Sequence, residues 1–167
     1  LGVYANEFRE DTHVISHYDP DPRSPLYRGW DFGYNGQAVI FAQFNHSGQM
    51  VLFDSLLLKA VPLERVIQEV LRRSAKWMAQ DAAMHVGLDG MIGRQQVVVD
   101  DYGDPSCNQH NASGDVPAAV LSKYGIRLRS KVTTGRKVDL VEQVRALLLP
   151  RSDGRPAMIV SRNSSDI

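Results

Sequence analysis

The chain has 167 residues, equal numbers of acidic and basic side chains and an ordinary apolar content, enough for one domain with a real core. Cys107 is its one cysteine, which excludes an internal disulfide and a cysteine-based zinc cluster, and no apolar run is long enough to span a bilayer. A net charge of zero favours no partner, but the charges are unevenly placed. The residues up to Asp31 lean acidic, whereas Lys123, Arg127, Arg129, Lys131, Arg136, Lys137 and Arg145 face only Asp139 and Glu142 in their stretch.

Residues 1–26 are polar and broken by Asp19-Pro20-Asp21-Pro22 and Ser24-Pro25, which reads as a linker or arm. No signal peptide is present, and the expectation is an intracellular fragment of a longer protein, short of its extreme C-terminus. Strand signals follow at 27–33, 38–44 and 50–57, with Asn45-His46-Ser47-Gly48 as a hairpin loop between the second and third. Three adjacent strands in meander order are the economical arrangement. Pro62 opens a helix reaching about Gln80, with Leu63, Val66, Ile67, Val70, Leu71 and Met78 as its apolar stripe and Trp77 on the same side. Residues 87–93 are glycine-spaced and loop-like. A strand is expected at 95–101, a short helix at 117–123 stopped by Gly125, a strand at 126–132, a helix at 138–149 ended by Pro150, and a last strand at 157–160. This order predicts an α/β fold, a mixed sheet with helices on both faces.

Asp31 stands inside the first apolar strand. Alternation puts Arg28, Trp30 and Phe32 on one face and Gly29, Asp31 and Gly33 on the other, so the acid is flanked by residues without side chains. A metal or a phosphate could approach such a carboxylate; the competing reading is a structural aspartate. The later strand ends in Asp100-Asp101-Tyr102-Gly103-Asp104-Pro105, where alternation groups Asp100 and Asp104 with Tyr102, and Asp101 with Gly103. Pro105 holds Asp104 extended at the strand end. Strand-borne aspartates far apart in sequence suit Mg²⁺ or Mn²⁺, which prefer oxygen ligands. Asp31 and Asp104 are the primary candidates for catalysis and metal binding, with Asp100 and Asp101 as further metal candidates. A two-metal site needs at least one more acid, for which Asp54, Asp115, Asp139, Asp153 and Asp166 are the loose choices. Lys131, Arg136 and Lys137, before the last long helix, are candidate contacts to a DNA backbone. No Gly-x-x-x-x-Gly-Lys-Ser/Thr loop and no metalloprotease histidine spacing occur.

From about Tyr27 to Val160 the chain resembles the C-terminal nuclease domain of phage terminase large subunits. The resemblance rests on Gly29-Trp30-Asp31-Phe32-Gly33 before an apolar strand, on Phe53-Asp54, on Tyr102-Gly103-Asp104-Pro105-Ser106, on Tyr124-Gly125-Ile126, and on Gly135-Arg136 before an apolar helix. It implies an RNase H-like domain over 27–167 and an endonuclease that cuts concatemeric double-stranded DNA with two divalent ions, Mg²⁺ or Mn²⁺. Asp31 takes the place of the first catalytic acid and Asp104 that of the second. The family's third acid, in an Asn-Asp-His-like context near the C-terminus, has no counterpart here, since Ser165-Asp166-Ile167 does not match. The resemblance also implies an N-terminal ATPase domain, the portal and the small terminase subunit as partners, the host cell cytoplasm as location, and no membrane. Another RNase H-like nuclease, such as a resolvase or transposase core, and a non-catalytic DNA- or partner-binding module are the alternatives.

Overall fold

The computed structural model describes residues 6–33, 36–78, 85–86, 92–93, 98–108, 116–130 and 137–162. In chain order the elements are α1 (Glu10–His13), β1 (Val14–Ile15), β2 (Leu26–Gly33), β3 (Gly36–Phe44), β4 (Met50–Leu58), α2 (Leu63–Met78), β5 (His85–Val86), β6 (Ile92–Gly93), β7 (Val99–Gly103), α3 (Pro117–Ser122), β8 (Leu128–Arg129), α4 (Lys137–Leu148) and β9 (Met158–Ser161). A short 3₁₀ turn, Pro105–Asn108, follows β7.

Seven strands form one mixed sheet in the order β1-β9-β4-β3-β2-β7-β8. The β2-β3-β4 meander is antiparallel, as expected, and β7 and β8 extend it in parallel on the β2 side. On the other side β9 pairs parallel with β4, and β1 with β9. At the β3–β4 turn the Asn45 carboxamide oxygen accepts from the Ser47 and Gln49 amides at 3.0 and 2.9 Å, and Gly48 takes the left-handed φ of 70° that closes such a loop.

The core lies between one face of this sheet and α2 with α3. Leu26 and Trp30 of β2, Val39 and Phe41 of β3, and Val51, Phe53 and Leu56 of β4 meet Val66, Ile67 and Val70 of α2 and Val120 and Leu121 of α3. Trp77 packs edge-on against Phe41 and Phe53, with ring centroids 4.9 and 5.0 Å apart. A bulge interrupts β4: Phe41 pairs with Asp54 and Ala42 with Leu52, which leaves Phe53 as the extra residue. Both Phe53 and Asp54 therefore turn inward.

Several expected elements shift. The N-terminal stretch is not wholly an irregular arm, because α1 and β1 dock on β9 and His13 is buried, its Nε2–H donating to the Leu148 carbonyl at 2.7 Å. Two-residue edge strands carry too little periodicity to be seen from sequence. The strand expected at 95–101 runs instead from Val99 to Gly103, with 94–97 outside the described residues. The strand expected at 126–132 is reduced to Leu128–Arg129, since Ile126 turns into the core straight after the helix. Inside the expected loop at 87–93, Ile92–Gly93 pairs with His85–Val86 as a separate hairpin.

Candidate metal centre

Asp31 sits near the end of β2, a central strand with β3 on one side and β7 on the other. The strand is central, yet Asp31 is exposed, because only the Arg28–Trp30 face meets the helices. Burial is a property of the face here, not of the strand. Across β3, the pairing of Gly29 with Ile40 and Asp31 with Ala38 places these side chains on the same open face. A Cβ added at Gly29 would meet nothing within 4 Å, so the approach to Asp31 along its own strand is clear.

Asp104 reaches the same place from β7. The parallel pairing runs Tyr27 with Asp100, Arg28 with Asp101, Gly29 with Tyr102 and Trp30 with Gly103. Asp31 and Asp104 are the next pair in that series, immediately past the last bonded residues. Neighbouring strands lie about 4.8 Å apart, so the register, continued by one residue, would set the two aspartates side by side. Asp104 is exposed like Asp31. Gly103 is confined between Leu128 and Phe32, each 3.4 Å from where its Cβ would be, which anchors the strand just before Asp104.

The neighbouring carboxylates of β7 are ion-paired. Asp101 points to the opposite, buried face. Its Oδ1 accepts from Arg28 Nε at 2.7 Å and Trp30 Nε1 at 2.6 Å, and its Oδ2 from Arg28 Nη2 at 2.7 Å. Arg28 Nη1 also donates to Ser74 Oγ at 3.0 Å, and that hydroxyl donates to the Val70 carbonyl. Both oxygens of Asp101 are engaged on the wrong face, so it is corrected from metal candidate to core ion pair. The available signal was Arg28 itself: an arginine on the Trp30 face demands a buried acid. Asp100 shares the open face with Tyr102 but is bonded to Arg129 at 2.6 Å, which withdraws it from the Asp31–Asp104 position.

Among the looser candidates, Asp54 lies mid-strand, buried, and bonded to Arg73 at 3.0 Å. Asp153 is exposed and bonded to Arg151. Asp115 and Asp166 lie outside the described residues, as do Lys131 and Arg136; Lys137 and Asp139 fall in the first turn of α4, where side chains are not described. Among the described residues no group of three or more His, Cys, Asp or Glu converges on one point. Asp31 and Asp104, both exposed, carry oxygen atoms of the kind that suit a hard divalent cation. At the opposite end of β7, a cleft of about 480 Å³ is lined by Arg28, Asp100, Asp101, Gly125, Arg127 and Arg129, among others. Of the basic stretch, Arg129 is held by Asp100, and Arg145 by Glu142 and Glu7. No helix among the described residues is long and apolar enough to cross a membrane.

No protein-family model and no curated protein matches the sequence. Solved structures do match the fold. The large terminase of a thermophilic bacteriophage, solved in complex with ADP, superposes with a TM-score of 0.61 at 17% identity, over 97% of this chain and 34% of that one. This chain thus spans about a third of that protein's length. The nuclease domain of the large terminase from bacteriophage SPP1, solved with bound Mn, gives 0.53 at 16% identity over 91% of this chain and 71% of that one. The large terminase nuclease of the thermophilic phage G20c gives 0.58 at 11% identity over 98% and 75%. The shared architecture is the RNase H-like α/β sheet flanked by helices that the sequence led one to expect.

Proposed function

We propose, from the fold this chain shares with large-terminase nucleases, that it is the nuclease domain of a phage DNA-packaging terminase and hydrolyses phosphodiester bonds in double-stranded DNA. The observation that carries this reading is the β2–β7 register, whose last bonded pair, Trp30 with Gly103, comes one residue before Asp31 and Asp104. Asp31 and Asp104 would hold a divalent ion, Mg²⁺ or Mn²⁺, and the Mn bound to the SPP1 neighbour supports that choice. When bound, such ions supply Lewis-acid polarisation of the phosphodiester and stabilise charge on the leaving oxygen. The chain's own part would be to hold the two exposed carboxylates near one another at the end of the β2–β7 pairing. A two-ion site would need at least one further acid.

Arg127 and Arg129, beside the β7–β8 cleft, join Lys131, Arg136 and Lys137 as candidates for neutralising backbone phosphates without reading bases. In the full protein an ATPase domain, the portal and the small subunit would be the partners, and cutting would take place in the host cytoplasm. The test is Mn²⁺-dependent cleavage of plasmid DNA by the wild type, Asp31→Asn and Asp104→Asn. Each variant is expected to lose at least a hundredfold in rate with an unchanged circular dichroism spectrum. Cleavage at the wild-type rate by either variant rejects the assignment of that residue.

A further inference from the structure

Arg28 and Asp101 are direct register partners across the β2–β7 pairing, and both side chains are only 5% exposed. Arg28 lies three positions before Asp31, and Asp101 three positions before Asp104. A buried ion pair gains little net stability over apolar side chains of similar volume, whereas fixing register is its best-attested use. Register needs fixing here. β2 and β7 are parallel and joined by a long crossover, so no tight turn sets their alignment. Val97 and Val98 before β7 and Val99 at its start are identical apolar side chains that would tolerate a slip.

A one-residue slip would turn Asp101 to the open face and strand Arg28 in the core. A two-residue slip would keep the faces but separate Asp101 from Arg28, and would move Asp104 along the sheet by about 6 to 7 Å. That displacement exceeds the metal–oxygen distance of about 2.0 to 2.6 Å, so the two aspartates could no longer share an ion. The planar fork of Arg28 accepts one alignment, and Asp101 takes a third bond from the Trp30 indole.

We propose that the Arg28–Asp101 pair is a register clamp, a positioning element that sets Asp104 beside Asp31. Its consequence for catalysis rests on reading those acids as metal ligands; the clamp itself is tested without metal. In a Cys107→Ala background, Asp31→Cys and Asp104→Cys are introduced together. Cα atoms on paired strands fall within the span a disulfide bridges. Oxidation is timed with the clamp intact and with Arg28→Met/Asp101→Leu combined with Trp30→Phe, an apolar replacement that leaves no buried indole N–H unpaired and is expected to preserve stability. The expected result is a crosslink at least tenfold slower without the clamp, at an unchanged melting midpoint. Equal crosslinking rates overturn the proposal. If the apolar replacement unfolds the chain, Arg28→Lys, which keeps the charge and loses the fork, is judged by the same criterion.

With native Asp31 and Asp104, the apolar replacement is expected to weaken Mn²⁺ binding at least tenfold, an effect that a merely structural pair would not produce in a chain of equal stability. Wild-type Mn²⁺ affinity in that variant overturns the proposal. An intact chain that binds no Mn²⁺, but whose crosslinking still depends on the clamp, upholds the clamp and rejects the metal reading instead.

Discussion

Asp31 and Asp101 are the same residue type on two neighbouring strands, and they meet opposite fates. Asp31 faces solvent between glycines; Asp101 is 4% exposed and accepts from a guanidinium and an indole. Removing one partner of a buried pair leaves the other charge desolvated, so Asp101→Ala is expected to cost about 3 to 5 kcal/mol in urea unfolding. Asp31→Ala, on the open face, is expected to change stability by no more than about 0.5 kcal/mol while removing the carboxylate proposed to bind the metal. Opposite rankings of the two variants in unfolding and in cleavage would thus separate the structural acid from the functional one.

At the scale of elements, α2 is tied to the sheet by charge as well as by its apolar stripe. Glu69 accepts from Arg72 at 2.7 and 2.8 Å and from Arg73 at 2.9 Å, and Arg73 reaches on to Asp54 and the Ser55 carbonyl in β4. The Arg72 guanidinium, with help from Arg73, holds the Glu69 carboxyl down at about 2, against 4.5 for an ordinary glutamate. A depressed folded-state value means stability that is fully present above the ordinary pKa and lost as pH falls from about 4.5 toward 2. Glu69→Gln is accordingly expected to flatten the pH dependence of the melting midpoint across that window, with little change in its slope above pH 5. At the end of α3, Gly125 has φ of 76° and the Ile126 amide donates back to the Leu121 carbonyl at 3.2 Å. Gly125→Ala has open space for its methyl, so its expected cost of about 1 kcal/mol is backbone strain alone.

At the scale of the whole molecule, the sheet closes at one edge with a segment from the other end of the chain. β1 pairs with β9, the Arg162 amide donates to the Ile15 carbonyl, and His13 joins α1 to the last turn of α4. His13→Ala removes a buried donor and leaves the Leu148 carbonyl unsatisfied, a loss of about 1 to 3 kcal/mol. Hydrogen exchange is expected to report it as faster exchange across β9 and the end of α4, with the β2-β3-β4 centre unchanged. Equal protection in β9 would mean that this edge does not depend on the N-terminal segment.

The long elements were legible in the sequence because each carries a full period of apolar alternation: the meander, α2 with Trp77 on its inner side, and the stop at Gly125. Alternation alone also separated Asp101 from Asp100 and Tyr102, and Asp31 from Arg28 and Trp30. What it could not supply was the alignment of β2 with β7. Residues so distant in sequence become neighbours only through a crossover whose register depends on side chains from both strands. That register buries Asp101 against Arg28 and ends one residue before Asp31 and Asp104. The bulge at Phe53 and the docking of β1 on β9 were likewise invisible, since an unpaired residue and a two-residue strand leave no periodic trace. Local pattern therefore determined which face each carboxylate occupies, whereas only the tertiary pairing decided which carboxylates stand together.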